Sequence, residues 1–483
     1  MSNYESMFKA YDIRGTVPEL DEKVYYWAGR ALVDVILKPD HLPLTVNLVR
    51  DARASSPAFY KALYYGLVDG GATVRPLGLG STDTMYAACL KYNNPGAMVT
   101  ASHNPKDDNG LKIVKQIPQM LGMNGGLDKV RDYVLARIES EAMPDLADFA
   151  DPVDDVTSKN EVTTYFADKM KELGQIDRIN SVMATSGRKL KIVVDTGNGM
   201  GGFIIPYLAN QYTNIEWIPL YWELDGNFPN HPADPMNLNN LRDLQASVLS
   251  NNADLGVAFD GDADRAFFVD ERGEILNGEH LVAVIAEEMV GVAKQRPELE
   301  LNPAVVYVVS YSRCLADVVL QAGGAAIVSQ QGHTYVKSLM KQYKAIYGGE
   351  ASGHHYYGQF GFMDSGILTV SLIIQLLIDR DAQASTLTRY FVDKYFVTGE
   401  QNYKLPEGLT MKEVKETIKL HYSTGYISEL DGISVFYPTW KITVRGSNTE
   451  PLLRINIECK ENTETNNPAV RLQEVLNLLG IEA

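Results

Sequence analysis

Lys191-Ile192-Val193-Val194-Asp195-Thr196-Gly197-Asn198-Gly199-Met200-Gly201-Gly202 is a short apolar run that ends in a glycine-rich turn. Val- and Ile-rich runs that stop at glycine or polar turns and pass into amphipathic segments mark strands alternating with helices. The pattern recurs at 44–49 and 304–309, and a helical stretch at 58–68 precedes a strand-like one at 72–77. Such alternation predicts an α/β fold. The glycine spacing also matches the G-x-G-x-x-G fingerprint of dinucleotide-binding proteins, with Glu223 near the roughly 20-residue spacing of the ribose-binding acid. Asp195 and Thr196, however, separate the apolar strand from the first glycine. A lone glycine fingerprint has many false matches, so a tight strand-to-helix turn is preferred over an oxidoreductase.

Outward from this turn, Pro/Asp-rich residues 144–155 show little periodicity and read as a linker. One α/β stretch begins after Gly187-Arg188, and another after the charged turn Asp270-Glu271-Arg272-Gly273. Beyond about residue 379 the order changes to a helix at 411–420, strands at 433–436, 440–444 and 453–457, and a closing helix at 469–479. The expected division is three similar α/β domains, 1–150, 151–274 and 275–388, followed by a smaller α+β domain, 389–483. With 483 residues, 45% of them hydrophobic, the chain can bury several cores.

The formal charge of -17 argues against nucleic-acid binding, which uses a basic footprint. An anionic ligand must then be held by a local basic cluster. Cys89, Cys314 and Cys459 are far apart and odd in number, which fits a reducing cytoplasm better than a disulfide framework. Residues 1–7 show no secretory signal. The longest apolar window, 368–378, is well short of the roughly 20 residues that span a bilayer, so no membrane partner is expected.

Four loops carry chemistry. In Asp260-Gly261-Asp262-Ala263-Asp264-Arg265, carboxylates at alternate positions can converge on one hard cation, most naturally Mg²⁺. A solvated acidic turn is the plain alternative. An EF-hand, with Glu271 at the twelfth position, fails because Arg265 stands where that loop needs glycine and because the flanks 255–259 and 266–269 are strand-like. In Thr100-Ala101-Ser102-His103-Asn104-Pro105, a serine in a small-residue turn after the apolar 97–99 is placed as a nucleophile would be, although Ser, Asn and Pro also make ordinary turns. No G-x-S-x-G elbow supports acyl transfer. Gly348-Gly349-Glu350-Ala351-Ser352-Gly353-His354-His355 offers a carboxylate, a hydroxyl and an imidazole suited to sugar hydroxyls, or is simply a flexible turn with solvated polar groups. Arg445-Gly446-Ser447-Asn448-Thr449-Glu450-Pro451, with Arg454 beyond it, combines guanidinium groups with backbone amides as an anion cradle, or simply joins two strands.

Together these loops resemble the α-D-phosphohexomutase family, and more closely its bacterial phosphomannomutase branch, from Phe8-Lys9-Ala10-Tyr11-Asp12-Ile13-Arg14-Gly15 to Arg454. The resemblance implies four domains around a central cleft. It implies a phosphoserine at Ser102, Mg²⁺ held by Asp260, Asp262 and Asp264 with Ser102, and sugar recognition by Glu350, Ser352 and His354. Arg445, Ser447, Asn448, Thr449 and Arg454 would surround the distal phosphate, with Tyr11 and Arg14 contributing, and Lys112, Arg265 and His333 match active-site positions of relatives. The expected reaction converts mannose 6-phosphate and mannose 1-phosphate through a hexose 1,6-bisphosphate, which also serves as activator. A phosphoglucomutase, a bifunctional mannose/glucose mutase and a non-catalytic sugar-phosphate sensor are the alternatives. The partners implied are small hexose phosphates, and the chain is expected as a monomer or homodimer. One departure stands out: relatives place a lysine or arginine where Ser310 precedes Arg313.

Overall fold

The computed structural model describes residues 4–17, 19–406, 408–446 and 452–481. Its contacts separate two compact units, Met1–Leu276 with Ser352–Ser385, and Asn277–Ala351 with Thr386–Ala483.

The first unit holds two sheets. Strands Thr45–Arg50, Thr73–Leu79 and Gly96–Val99 run parallel, and Asp108–Gln116 and then Ile13–Thr16 extend that sheet antiparallel. Gly96–Val99 is buried along its whole length, because helices cover both faces of a parallel sheet and no polar alternation can survive there. Its C-terminal end releases the segment 100–105. The second sheet has the order Ala266–Asp270, Leu255–Phe259, Leu190–Asp195, Ile215–Leu220, parallel except for the hairpin of the first two. That hairpin closes through 260–265. Both chemical loops therefore leave the carboxyl ends of central parallel strands, where open α/β sheets bind ligands.

Helix starts follow the local chemistry. Asp21 accepts the amides of Lys23 and Val24 at the head of Glu22–Ala31, and Ser81 with Thr84 forms a capping box for Thr82–Tyr92. The apolar window at 368–378 lies in Gly366–Asp379, a helix buried at every position but its last. Among the described residues no helix is long and apolar enough to cross a membrane.

In the second unit, strands Ala325–Ser329, Asn302–Val308 and Ala345–Gly349 form a parallel set in that order. Helices Gly278–Gln295, Cys314–Gln321 and His333–Tyr343 flank it. An antiparallel sheet runs Phe396–Val397, Leu452–Cys459, Trp440–Gly446, Ile433–Phe436, Tyr426–Ser428, with Gln401–Lys404 also paired to Leu452–Cys459. Its apolar face, including Val444, Ile455 and Ile457, is covered by helices Met411–His421 and Pro468–Leu479.

Candidate functional site

In the first unit the serine loop and the acidic loop meet. Ser102 is 1% exposed and occupies the left-handed region, with φ 53°, a conformation that a non-glycine residue keeps only when its surroundings over-determine it. Its amide donates to Thr100 Oγ1 at 3.0 Å, and its hydroxyl donates to Asp260 Oδ2 at 2.8 Å. Close approach of the loops requires glycine: a Cβ on Gly261 would lie 2.3 Å from the Ser102 carbonyl oxygen.

Asp260, Asp262 and Asp264 are almost wholly buried, and each offers a carboxylate oxygen within 4.8 Å of the others. Thr82 Oγ1 donates to Asp262 Oδ2 at 2.8 Å. Lys112 Nζ donates to Asp262 Oδ2 at 2.6 Å and Asp264 Oδ2 at 2.7 Å. Arg265 Nε lies 3.5 Å from Asp260 Oδ2. Three carboxylates thus face two cations. Burial and the charges of Asp264 and Asp262 raise the Asp260 carboxyl well above the usual carboxylate range. Burial pushes Asp262 upward too, but Lys112 outweighs it and holds that group low. For Lys112 the burial that favours the neutral amine is overcome by Asp262 and Asp264, and its pKa lies above the ordinary lysine value.

This arrangement fits a hard divalent cation. Asp262 Oδ1 and Asp264 Oδ1 are buried and accept no hydrogen bond from the described residues, a costly state for carboxylate oxygens unless an ion takes them. The donor set is all oxygen and anionic, as such cations prefer. A second group, Asp264, His354 and Asp364, meets the same 4.8 Å limit, with His354 Nδ1 2.7 Å from Asp364 Oδ2 and 3.9 Å from Asp264 Oδ1.

Arg14, on strand Ile13–Thr16, donates to Ala101 O at 3.1 Å and Asn104 Oδ1 at 2.7 Å, while Nε pairs with Asp12 at 2.7 Å. Tyr11 is half-buried just before that strand. The structure thus gathers Ser102, the three aspartates, Lys112, Arg265, Arg14 and His354 in one unit, with Ser352 half-buried two residues before His354.

The other expected residues belong to the second unit. His333 opens helix His333–Tyr343. Glu350, 4% exposed, accepts Gln331 Nε2 at 3.1 Å. The expected sugar loop therefore divides between Ala351 and Ser352, with Glu350 on one side and Ser352 and His354 on the other. Arg445 and Arg454 face each other on paired strands, and Glu400 bridges them at 2.6 and 3.0 Å. Ser447, Asn448 and Thr449 lie outside the described residues. Arg313 is committed to Glu458 through Nε at 2.9 Å and to Tyr437 O at 2.6 Å, while Ser310 Oγ donates to Gln331 Oε1 at 3.3 Å.

Sequence reasoning missed four side chains. His103 receives Arg265 Nη2 on Nδ1 at 2.7 Å. Burial, then the charges of Arg265 and Arg14, push its imidazole down to about 2, so it is neutral at physiological pH. Its place beside Ser102 was the available signal. Arg53 donates to backbone carbonyls of the serine loop, and Asp364 faces His354. Glu400 bridges the two arginines from 45 residues before Arg445, a separation that gives no local pattern.

Comparison with known proteins identifies the fold. The models "Phosphoglucomutase/phosphomannomutase, alpha/beta/alpha domain I", "domain II" and "domain III" match residues 5–124, 165–273 and 277–395. A phosphomannomutase of Vibrio cholerae serotype O1 is 33% identical over 96% of this chain and 96% of its own length. A phosphomannomutase/phosphoglucomutase of Pseudomonas syringae pv. tomato is 33% identical over 95% of this chain and 92% of its own. The crystal structure of a phosphoglucomutase/phosphomannomutase family protein from Burkholderia thailandensis superposes with TM-score 0.77 and 27% identity, covering 99% of this chain and 98% of that one. Three α/β/α domains, a C-terminal antiparallel sheet domain and full-length kinship place the chain in the phosphoglucomutase/phosphomannomutase family of α-D-phosphohexomutases, intramolecular phosphotransferases of the isomerase class.

Proposed function

We propose that the enzyme interconverts mannose 6-phosphate and mannose 1-phosphate, with Ser102 as the phosphoryl carrier and a hexose 1,6-bisphosphate as intermediate and activator. The observation that carries this reading is the Ser102 hydroxyl 2.8 Å from Asp260 within a buried set of three aspartates. A bifunctional mannose/glucose mutase is the second reading, favoured by the kinship to the Pseudomonas syringae phosphomannomutase/phosphoglucomutase.

Phosphoryl transfer depends on positioning and on stabilising charge spread over the equatorial oxygens. Asp260 accepts the Ser102 hydroxyl hydrogen and so orients Oγ toward the acidic loop. Asp260, Asp262 and Asp264 would hold Mg²⁺, which when bound supplies positive charge at the transferring phosphoryl group. Arg265 and Lys112 add fixed positive charge beside the same carboxylates. His103, neutral and accepting from Arg265, holds that guanidinium against the serine loop. His354, with Nδ1 against Asp364, is a candidate to move the proton of the attacking sugar hydroxyl. Glu350, Ser352 and His354 would read the sugar, with Tyr11 and His333 also contributing. Arg445 and Arg454, with Ser447, Asn448 and Thr449, would hold the phosphate that is not reacting. Transfer from phosphoserine to the free sugar hydroxyl yields the bisphosphate, and the other phosphate then restores the phosphoserine.

The test is a phosphorus NMR time course with Mg²⁺ and a trace of hexose 1,6-bisphosphate, offering mannose, glucose and glucosamine 1-phosphates in parallel. Fastest conversion of mannose 1-phosphate to the 6-phosphate is expected. A clear preference for glucosamine 1-phosphate would overturn the sugar assignment.

A further inference from the structure

Arg53 follows strand Thr45–Arg50 and is 1% exposed, in a molecule whose charged side chains mostly face water. A guanidinium so buried is costly unless its donors are satisfied, and here they are. Nη2 donates to Ser102 O at 2.8 Å and Asn104 O at 2.7 Å, and Nη1 donates to Pro105 O at 2.5 Å and Asp108 O at 3.0 Å. Nε donates to Asp51 Oδ2 at 3.2 Å. Four carbonyls of one loop therefore converge on one cation.

The cation is itself held. Asp51 Oδ1 accepts the Arg53 amide at 3.1 Å and the Ser56 hydroxyl. The Phe228 ring lies 5.1 Å from the guanidinium carbon. The Phe228 segment approaches so closely that a Cβ on Gly226 would lie 2.5 Å from Arg53 Cα. The loop gripped in this way carries Ser102 at φ 53°, a backbone state that relaxes unless its neighbours hold it.

We propose that Arg53 is a positioning residue for the phosphoryl-transfer step: it clamps the carbonyls of residues 102–108 and so sets the Ser102 oxygen against Asp260. The proposal rests on the reading of Ser102 as the phosphoryl carrier. Lysine cannot replace arginine, because a lysine offers three donors from one point whereas the guanidinium fork offers five in fixed directions. The clamp acts on the nucleophile loop rather than on the sugar, so its loss lowers kcat and leaves KM in place.

The test uses full-length Arg53→Lys and Asp51→Asn enzymes, the second keeping Arg53 but removing the charge that orients it. Each active site is counted by phosphoryl uptake from hexose 1,6-bisphosphate, read by intact mass. Per phosphorylatable site, kcat is expected to fall about 100-fold in Arg53→Lys and about 10-fold in Asp51→Asn, with KM nearly unchanged. Arg53→Ala is expected to regain activity with sub-denaturing guanidinium, a response that a merely destabilised fold does not give. If Arg53→Lys does not fold, Asp51→Asn carries the test. A wild-type kcat per phosphorylatable site in the folded variants would overturn the proposal. Ser102→Ala, run alongside, separates the two ideas: an active Ser102→Ala sinks the phosphoserine reading, whereas an inactive one beside a normal Arg53→Lys sinks only the clamp.

Discussion

Gly261→Ala is the sharpest perturbation that the geometry allows. The added methyl carbon would lie 2.3 Å from the Ser102 carbonyl oxygen, whereas an ordinary carbon–oxygen contact is about 3.3 Å, so the two loops must part by about 1 Å. Neither loop can yield without loss. The Ser102 carbonyl accepts Arg53 at 2.8 Å, and the Gly261 carbonyl accepts the Met200 amide at 2.9 Å. Behind Gly261, a Cβ on Gly199 would lie only 2.8 Å from the Gly261 oxygen, so the glycine-rich turn backs the acidic loop directly. The displacement then falls on the 2.8 Å bond from Ser102 to Asp260. Misplacing a reacting group by about 1 Å costs roughly 100-fold in rate, and overpacking a tight contact costs about 1–3 kcal/mol of stability. Steady-state kinetics on mannose 1-phosphate with saturating activator is expected to show kcat reduced about 100-fold with KM nearly unchanged. Gly291→Ala is the control. Nothing lies within 4 Å of its added carbon inside helix Gly278–Gln295, and it should gain about 1 kcal/mol of stability from helix propensity at full activity. A Gly261→Ala enzyme with near-normal kcat would refute the reasoning.

Other consequences follow from the same contacts. Glu400 halves the net charge of the Arg445–Arg454 pair, so Glu400→Gln is expected to lower KM for sugar phosphates about threefold to tenfold; a raised KM would mean that Glu400 instead orients the arginines. Arg445→Ala should mainly raise KM, and a loss confined to kcat would count against its place in the phosphate cradle. Burial raises the Glu279 carboxyl to about 7, partly offset by the Ser312 amide and Lys441. The folded state therefore holds this proton between the ordinary glutamate value and 7, where the unfolded chain has lost it, and stability falls as pH rises through that window by about 3 kcal/mol. Glu279→Gln removes that slope, so its stability relative to wild type should increase from pH 5 to pH 8 in denaturant titrations. An unchanged difference would place the proton elsewhere.

Where the hydrophobic pattern is strong, sequence and structure coincide. The expected strand at 44–49 is Thr45–Arg50, the helix at 58–68 is Ser56–Asp69, and the C-terminal strands and closing helix fall within a few residues of their expected places. The strand Asp108–Gln116 was hidden by Asp107-Asp108-Asn109-Gly110, turn-forming residues that here begin a strand because Gly110 must pass close to Ile13 O. Helices Val156–Leu173 and Ile176–Ser186 follow the Pro/Asp-rich stretch and each buries one narrow stripe, Val162, Phe166, Met170 and Leu173 in the first and Ile176, Ile179 and Met183 in the second, between polar residues that match the composition of a linker. The acidic loop was legible because its three ligand candidates share six residues. Arg53 and Glu400 were not, since Arg53 acts through backbone carbonyls that no side-chain pattern reveals and Glu400 on partners far along the chain, and Asp364 was not because the residues between it and His354 form no motif. The departure at Ser310 also needed coordinates: Lys441 is buried beneath that loop, donating to Val309 O at 2.8 Å and to Tyr311 O, and Arg313 is spent on Glu458.

The central claim is that Ser102 carries the phosphoryl group. The most direct measurement is intact-protein and peptide mass spectrometry of wild type and Ser102→Ala after incubation with a hexose 1,6-bisphosphate and Mg²⁺, with turnover followed on the same samples. The account predicts one added phosphoryl group on the wild type, located on the Ser102 peptide, and neither that mass nor turnover in a folded Ser102→Ala enzyme. A phosphoryl group on another residue, or near-normal turnover by Ser102→Ala, would contradict it.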